Sequence, residues 1–126
     1  MSASMRRLVD EDSAIVVWWL TRTECVSAFE RRAREGGLRR HDARRARQIL
    51  QSLATVWSEM QPTDSLRTAA ERLLGLHDLR TADALQLAAA LEWCGGRPQG
   101  LEFLCLDARL RRAAEREGFD VQPEEA

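Results

Sequence analysis

Three carboxylates stand where a chain of this kind can gather acids for work on a phosphate. Glu24 closes the segment Thr21-Arg-Thr-Glu24, which follows an apolar run from Ala14 to Trp18. Asp107 follows a second apolar run, Leu101 to Leu106. Asp83 opens a segment that is otherwise apolar on nearly all sides, with Ala82, Ala84, Leu85, Leu87, Ala88, Ala89 and Ala90 around it. A carboxylate in such surroundings is costly unless a cation compensates it. A hard divalent ion held by clustered carboxylates and water is one such cation. It would lower the pKa of a water and steady charge on a phosphoryl oxygen. Each acid also has a plainer role open to it. Thr21-x-x-Glu24 fits a capping box, Asp107 fits a helix N-cap, and Asp83 suits the positive end of a helix dipole. Capping does not account for a carboxylate on so apolar a helix as that of Asp83.

The elements that must position these acids alternate in type. Residues 3–11 are expected to form a short helix. Ala14-Ile-Val-Val-Trp18 is short and rich in β-branched residues, which predicts a strand buried on both faces, as in a parallel sheet. Thr21 to Glu35 predicts a helix stopped by Gly36-Gly37. Ala43, Ala46, Ile49, Leu50, Leu53, Val56, Trp57 and Met60 form a helical stripe, so one long helix is expected up to Pro62. Thr63 or Asp64 caps the next helix, with Leu66, Ala69, Ala70, Leu73 and Leu74 facing inward. Thr81 to Trp93 predicts a buried helix ended by Gly95-Gly96. Leu101 to Leu106 is the second strand, Asp107 to Glu117 the last helix, and Phe119 to Val121 a short strand, with 122–126 a frayed tail. Strands alternating with helices predict an α/β fold with a parallel sheet. In such a sheet both strand-to-helix junctions lie at the carboxyl edge, where open α/β folds place ligands. Glu24, Asp83 and Asp107 are therefore expected to face one cleft.

Composition bounds the function. A chain of 126 residues fits one domain, and its 44% hydrophobic and 31% charged residues are those of a globular protein. No apolar run approaches the roughly 20 residues of a membrane span, and Ala14 to Leu20 is too short for a signal peptide. A cytoplasmic location is expected. Cys25, Cys94 and Cys105 are too far apart for a zinc site and are expected to be small reduced hydrophobes. The net charge of −1 gives no global attraction to nucleic acid. All 19 basic residues are Arg, and eight lie between Arg31 and Arg47. They form either a solvated helix face or a phosphate track. His41 and His77 stand singly, with no Ser/His/Asp arrangement and no Gly-rich phosphate loop. Trp18 and Trp19 straddle a strand end, with core packing the first role and a dimer contact the second.

Three segments carry a family resemblance: Thr21-Arg-Thr-Glu24-Cys-Val-Ser-Ala-Phe, Leu79-Arg-Thr-Ala-Asp83-Ala-Leu-Gln-Leu-Ala-Ala-Ala and Phe103-Leu-Cys-Leu-Asp107-Ala-Arg-Leu. In order and spacing they resemble successive motifs of PIN-domain nucleases, and within these the VapC-type toxins of toxin–antitoxin pairs. The resemblance runs from about residue 5 to residue 121. It implies a three-layer fold with a parallel sheet flanked by helices, Mg²⁺- or Mn²⁺-dependent endoribonuclease activity, a cognate antitoxin and a homodimer. It carries Glu24, Asp83 and Asp107 over as metal-binding and catalytic acids. Two departures stand out. Cys105 replaces the usual Thr or Ser. The family also opens with an apolar central strand ending in Asp-x-Ser/Thr, which has no counterpart before Glu24. Asp10 and Asp12 lie between the expected first helix and strand 14–18, so they do not replace that acid by position. The chain thus resembles a family member lacking its first strand.

Two functions follow from these residues. The first is hydrolysis of RNA phosphodiesters with one or two metals at the acids. The second is a catalytically impaired remnant that keeps antitoxin-binding or dimerisation surfaces. An Arg-rich helical adaptor unrelated to nucleases would leave the three ordered motifs unexplained.

Overall fold

A computed structural model describes residues 15–124. Four short strands and five helices follow in the order β1 (Val16–Trp18), α1 (Thr21–Arg34), α2 (Arg40–Ala54), β2 (Ser58–Met60), α3 (Asp64–Leu76), α4 (Thr81–Trp93), β3 (Glu102–Leu104), α5 (Ala108–Glu117) and β4 (Asp120–Gln122). The chain is mixed α/β, and all strand pairs are parallel. The strands form two small sheets, β1 pairing with β2 in one and β3 with β4 in the other, and β1 and β3 do not pair with each other. The helix expected over residues 3–11 and the residue Ala14 lie outside the described residues. Gln122, expected in a frayed tail, is the last residue of β4 and lies opposite Leu104.

Helix α4 is the centre of the molecule. Ala84, Leu87, Ala88, Ala89 and Leu91 are all buried on it. It packs against α3, β1 and α5. The core joins Leu66, Ala70 and Leu73 of α3, Leu110, Ala113 and Ala114 of α5, and Trp18, Phe119 and Val121. Small alanines let neighbouring elements approach α4 closely, and the leucines fill the space between. The α1–α2 hairpin stands apart from this core. Helix α1 buries no residue, and α2 buries Ala43 and Leu50. Its Arg run is exposed, as at Arg31, Arg32, Arg44 and Arg45.

Local signals explain most boundaries. Thr63 Oγ1 accepts the Leu66 N–H at 3.1 Å and starts α3. Asp107 Oδ1 accepts the Leu110 N–H at 3.0 Å and starts α5. Gly118 ends α5 at a φ of 110°, where a side chain would be strained and would meet Pro98. The stretch to Met60 departs from the expected helix. Helix α2 ends at Ala54, Thr55 Oγ1 bonds back to the Ser52 carbonyl at 2.7 Å, and Ser58–Met60 pairs with β1. Apolar spacings of one and three at Val56, Trp57 and Met60 fit a helix, but the open edge of β1 gives the backbone a ladder instead, and pairing wins.

One polar clamp ties the ends of α3 and α5. His77, the residue after α3, lies with Nε2 2.8 Å from Glu117 Oε2, and Arg72 donates to Glu117 Oε1 at 3.2 Å. Burial pushes the Glu117 carboxyl up, but the His77 and Arg72 hydrogen bonds outweigh it and hold it below its ordinary value of 4.5. A carboxyl whose folded pKa lies below its unfolded one stabilises the fold above the unfolded value, and that support is lost as pH falls through the folded value. Glu117→Gln is expected to cost about 1–2 kcal/mol at neutral pH. Denaturant unfolding should show the difference from the parent chain closing as pH falls below about 4. A difference that stays constant down to that pH contradicts the ionised clamp.

Candidate functional site

Glu24 and Asp107 each contact a residue at or near the amino end of α4, through Gln86 and Arg80. Asp83 sits in the first turn of that helix and is only 8% exposed. Helix α1 begins just after the carboxyl end of β1, and Glu24 lies in its first turn. Asp107 follows β3 and caps α5. Each of these two strands is thus followed by an acid in or at the start of the next helix.

Arg80 joins two of the acids. Its Nε lies 3.6 Å from Asp83 Oδ2, and its Nη2 lies 3.9 Å from Asp107 Oδ2. The Arg80 side chain is 75% exposed, so these contacts are solvent-screened and weak. Glu24 connects to α4 differently. Gln86 Nε2 donates to Glu24 Oε2 at 3.5 Å, a long hydrogen bond one turn beyond Asp83. Two carboxylate oxygens, Glu24 Oε1 and Asp83 Oδ2, are buried without a hydrogen-bond partner among the described residues. Such oxygens are costly to leave unpaired. Burial raises the Glu24 carboxyl, Gln86 opposes this, and the Asp83 charge raises it further.

Cys105 belongs to the same neighbourhood. Burial raises its thiol pKa first, and the charges of Asp107 and Asp83 raise it further. Its Sγ donates to the Asp107 carbonyl at 3.6 Å. It is thus an uncharged thiol beside two acids. All three cysteines are free.

The capping role open to Glu24 is not the one it takes. Leu20, not Thr21, is the N-cap of α1, and no side chain caps that end. Glu24 turns to Gln86 instead. Asp107 does cap its helix, through Oδ1, which leaves Oδ2 facing Arg80. Two participants escaped the sequence reading, Arg80 and Gln86. Each stands three residues from Asp83, the spacing that puts side chains on one helix face. A polar pair flanking the acid of an apolar helix was the available signal.

The donor set is all hard oxygen, which suits Mg²⁺ or Mn²⁺ rather than a soft metal. The orphaned oxygens of Glu24 and Asp83 fit a cation at this place. The acids are not drawn into a closed cage: no group of three His, Cys, Asp or Glu among the described residues could hold a metal ion by itself. An ion here would take part of its shell from water. Comparison with protein-family models and with curated proteins gives no match for the chain.

Asp83→Asn is expected to leave the fold intact and, without divalent ions, to stabilise it by up to about 1 kcal/mol, because it removes a buried charge facing Glu24. Thermal unfolding in chelator measures this. A loss of several kcal/mol would mean that Asp83 is a structural cap and not a strained acid.

Proposed function

We propose that this chain carries the acidic site of a Mg²⁺- or Mn²⁺-dependent endoribonuclease of the PIN-domain, VapC toxin type. The orphaned Glu24 and Asp83 oxygens at the junction of β1, β3 and α4 carry this reading. It is supported by the three motifs, which put an acid at each strand-to-helix junction, and by the hard-oxygen donor set. Glu24, Asp83 and Asp107 would hold the ion, partly through water. When bound, it supplies positive charge against the phosphoryl oxygens and makes water more acidic.

The chain's own groups have distinct tasks. Gln86 holds Glu24 by one oxygen and leaves Oε1 free for the ion or its water. Asp83 is held in place by the burial of α4. Arg80 offsets Asp83 and Asp107 and, being mostly exposed, is free to turn to an RNA phosphate. The half-buried Cys105 thiol, its pKa raised, offers no charged nucleophile. In this reading the chain acts in the cytoplasm as a homodimer and is neutralised by a cognate antitoxin. No helix among the described residues is long and apolar enough to cross a membrane.

A second reading has its own support. β1 and β3, which deliver Glu24 and Asp107, belong to separate sheets. Acids on separate sheets hold an ion loosely, and phosphoryl transfer depends on positioning. The chain would then be a catalytically impaired remnant that keeps antitoxin-binding or dimerisation surfaces.

Total RNA incubated with the 126-residue chain in Mg²⁺ or Mn²⁺ is expected to be cleaved weakly. Asp83→Ala is expected to abolish that cleavage, and chelator to do the same. Cleavage that survives in Asp83→Ala contradicts the assignment. Robust cleavage that Asp83→Ala abolishes contradicts the impaired reading.

A further inference from the structure

The α1–α2 hairpin concentrates positive charge that the rest of the molecule lacks. From Arg31 to Arg47 eight Arg stand against two acids, Glu35 and Asp42, a net charge of +6. The whole chain carries −1, so the remainder carries −7. All eight arginines are exposed.

The packing of α1 on α2 gathers four of them. Arg40 Nη1 donates to Glu30 Oε1 at 2.7 Å, from one helix to the other. That hydrogen bond holds the Glu30 carboxyl below its ordinary value, and the nearby charges of Arg47 and Arg34 lower it further. Arg44 stands four residues after Arg40 and three before Arg47, the spacings of one helix face. One carboxylate thus serves a group of four guanidinium groups. Arg34, Arg44 and Arg47 have no carboxylate at ion-pair distance among the described residues.

Fold stability does not account for this group. Arg31, Arg32 and Arg34 suit the negative end of the α1 dipole. Arg39 and Arg40, however, stand at the positive end of the α2 dipole, and Arg40 and Arg44 are like charges one turn apart. Both arrangements cost stability. Between Arg31 and Arg47 no large apolar side chain is exposed. A protein partner would lack the desolvated centre on which such contacts depend, and a lipid surface would meet no side chain to insert. A nucleic-acid backbone needs neither, because its affinity comes from neutralised phosphates. Arg forks also match phosphate oxygens.

We propose that the α1–α2 hairpin is a docking surface for the phosphate backbone of single-stranded RNA, with Arg34, Arg40, Arg44 and Arg47 as its contacts. The choice of RNA rests on the ribonuclease reading, whereas the charged surface does not. Glu24 lies in the first turn of α1 and Arg34 ends it ten residues later, about 15 Å along the axis. A strand with one phosphate at the acids would reach the hairpin at that distance, and the negative remainder of the chain would repel it elsewhere. The hairpin would hold the backbone without reading bases.

The test is fluorescence anisotropy of the intact chain with a short labelled oligouridylate, in chelator so that nothing is cut. The logarithm of affinity is expected to fall with the logarithm of salt concentration at a slope near about −3, the value for roughly four phosphates of a single strand. Arg34→Gln, Arg44→Gln and Arg47→Gln together are expected to flatten that slope by about 2 and to weaken binding at low salt at least about tenfold. Lysine at the same three positions should keep the slope. Arg97→Gln, Arg112→Gln and Arg116→Gln together remove equal charge from exposed arginines outside the hairpin and should leave it unchanged. Three results overturn the proposal. One is the absence of salt-dependent binding. Another is a hairpin variant that binds no more weakly than the distant one. The last is polyglutamate that competes as well as unlabelled RNA at equal charge, which would give the surface to an acidic polypeptide. Cleavage is not read here, so RNA held by the hairpin but never cut would sink the ribonuclease reading and leave the docking surface standing.

Discussion

Burial of α4 is the constraint on which the rest of the molecule depends. A helix enclosed by α3, α5 and β1 has little freedom to rotate or slide, because its alanines and leucines are close-packed. Its first turn is therefore a fixed point, and Asp83 is fixed with it. β1 and β3 both end near that point. The acids that follow them, Glu24 in the first turn of α1 and Asp107 at the cap of α5, are placed by the strands rather than by contacts with each other. The placement of these acids is thus a consequence of packing, which sets the Asp83 charge against that of Glu24.

The electrostatics show how this tension is partly relieved. Arg80 spans Asp83 and Asp107 at ion-pair distances but lies largely in water. Gln86 serves one oxygen of Glu24. Neither reaches Glu24 Oε1 or hydrogen-bonds Asp83 Oδ2, and those two buried oxygens remain without donors. An arrangement selected for stability alone would have paired or replaced them. The contrast with Glu117 is instructive. That acid has both oxygens engaged, by His77 and Arg72, and its pKa is held below the ordinary value. The same chain engages both oxygens of one carboxylate, yet leaves Glu24 Oε1 without a hydrogen-bond donor and gives Asp83 Oδ2 only the Arg80 guanidinium at 3.6 Å.

Much of this was legible in the sequence, and what was missed has physical causes. The bounds of α4 and the Thr63 and Asp107 caps are local signals and were readable. β2 was not. Val56, Trp57 and Met60 continue a helical stripe, and only the non-local offer of β1's edge makes the backbone extend there. The division into two sheets agrees with the expectation of a parallel sheet that lacks its central strand. Glu24 could be read as a cap because Thr21-x-x-Glu24 has the right spacing. In the structure the helix starts one residue early, Thr21 loses the cap position, and Glu24 is free to face α4. Trp18 and Trp19, adjacent in sequence, part company: one enters the core at 5% exposure and the other faces solvent at 47%.

The central claim is that Glu24, Asp83 and Asp107 act together as a site for a hard divalent cation. Calorimetric titration of Mn²⁺ into the metal-free chain tests it most directly. Saturable binding is predicted, with affinity lower by about tenfold or more in Glu24→Gln, Asp83→Asn and Asp107→Asn alike, and with circular dichroism unchanged. Binding that is absent in the parent chain, or equal in parent and variants, would contradict the account.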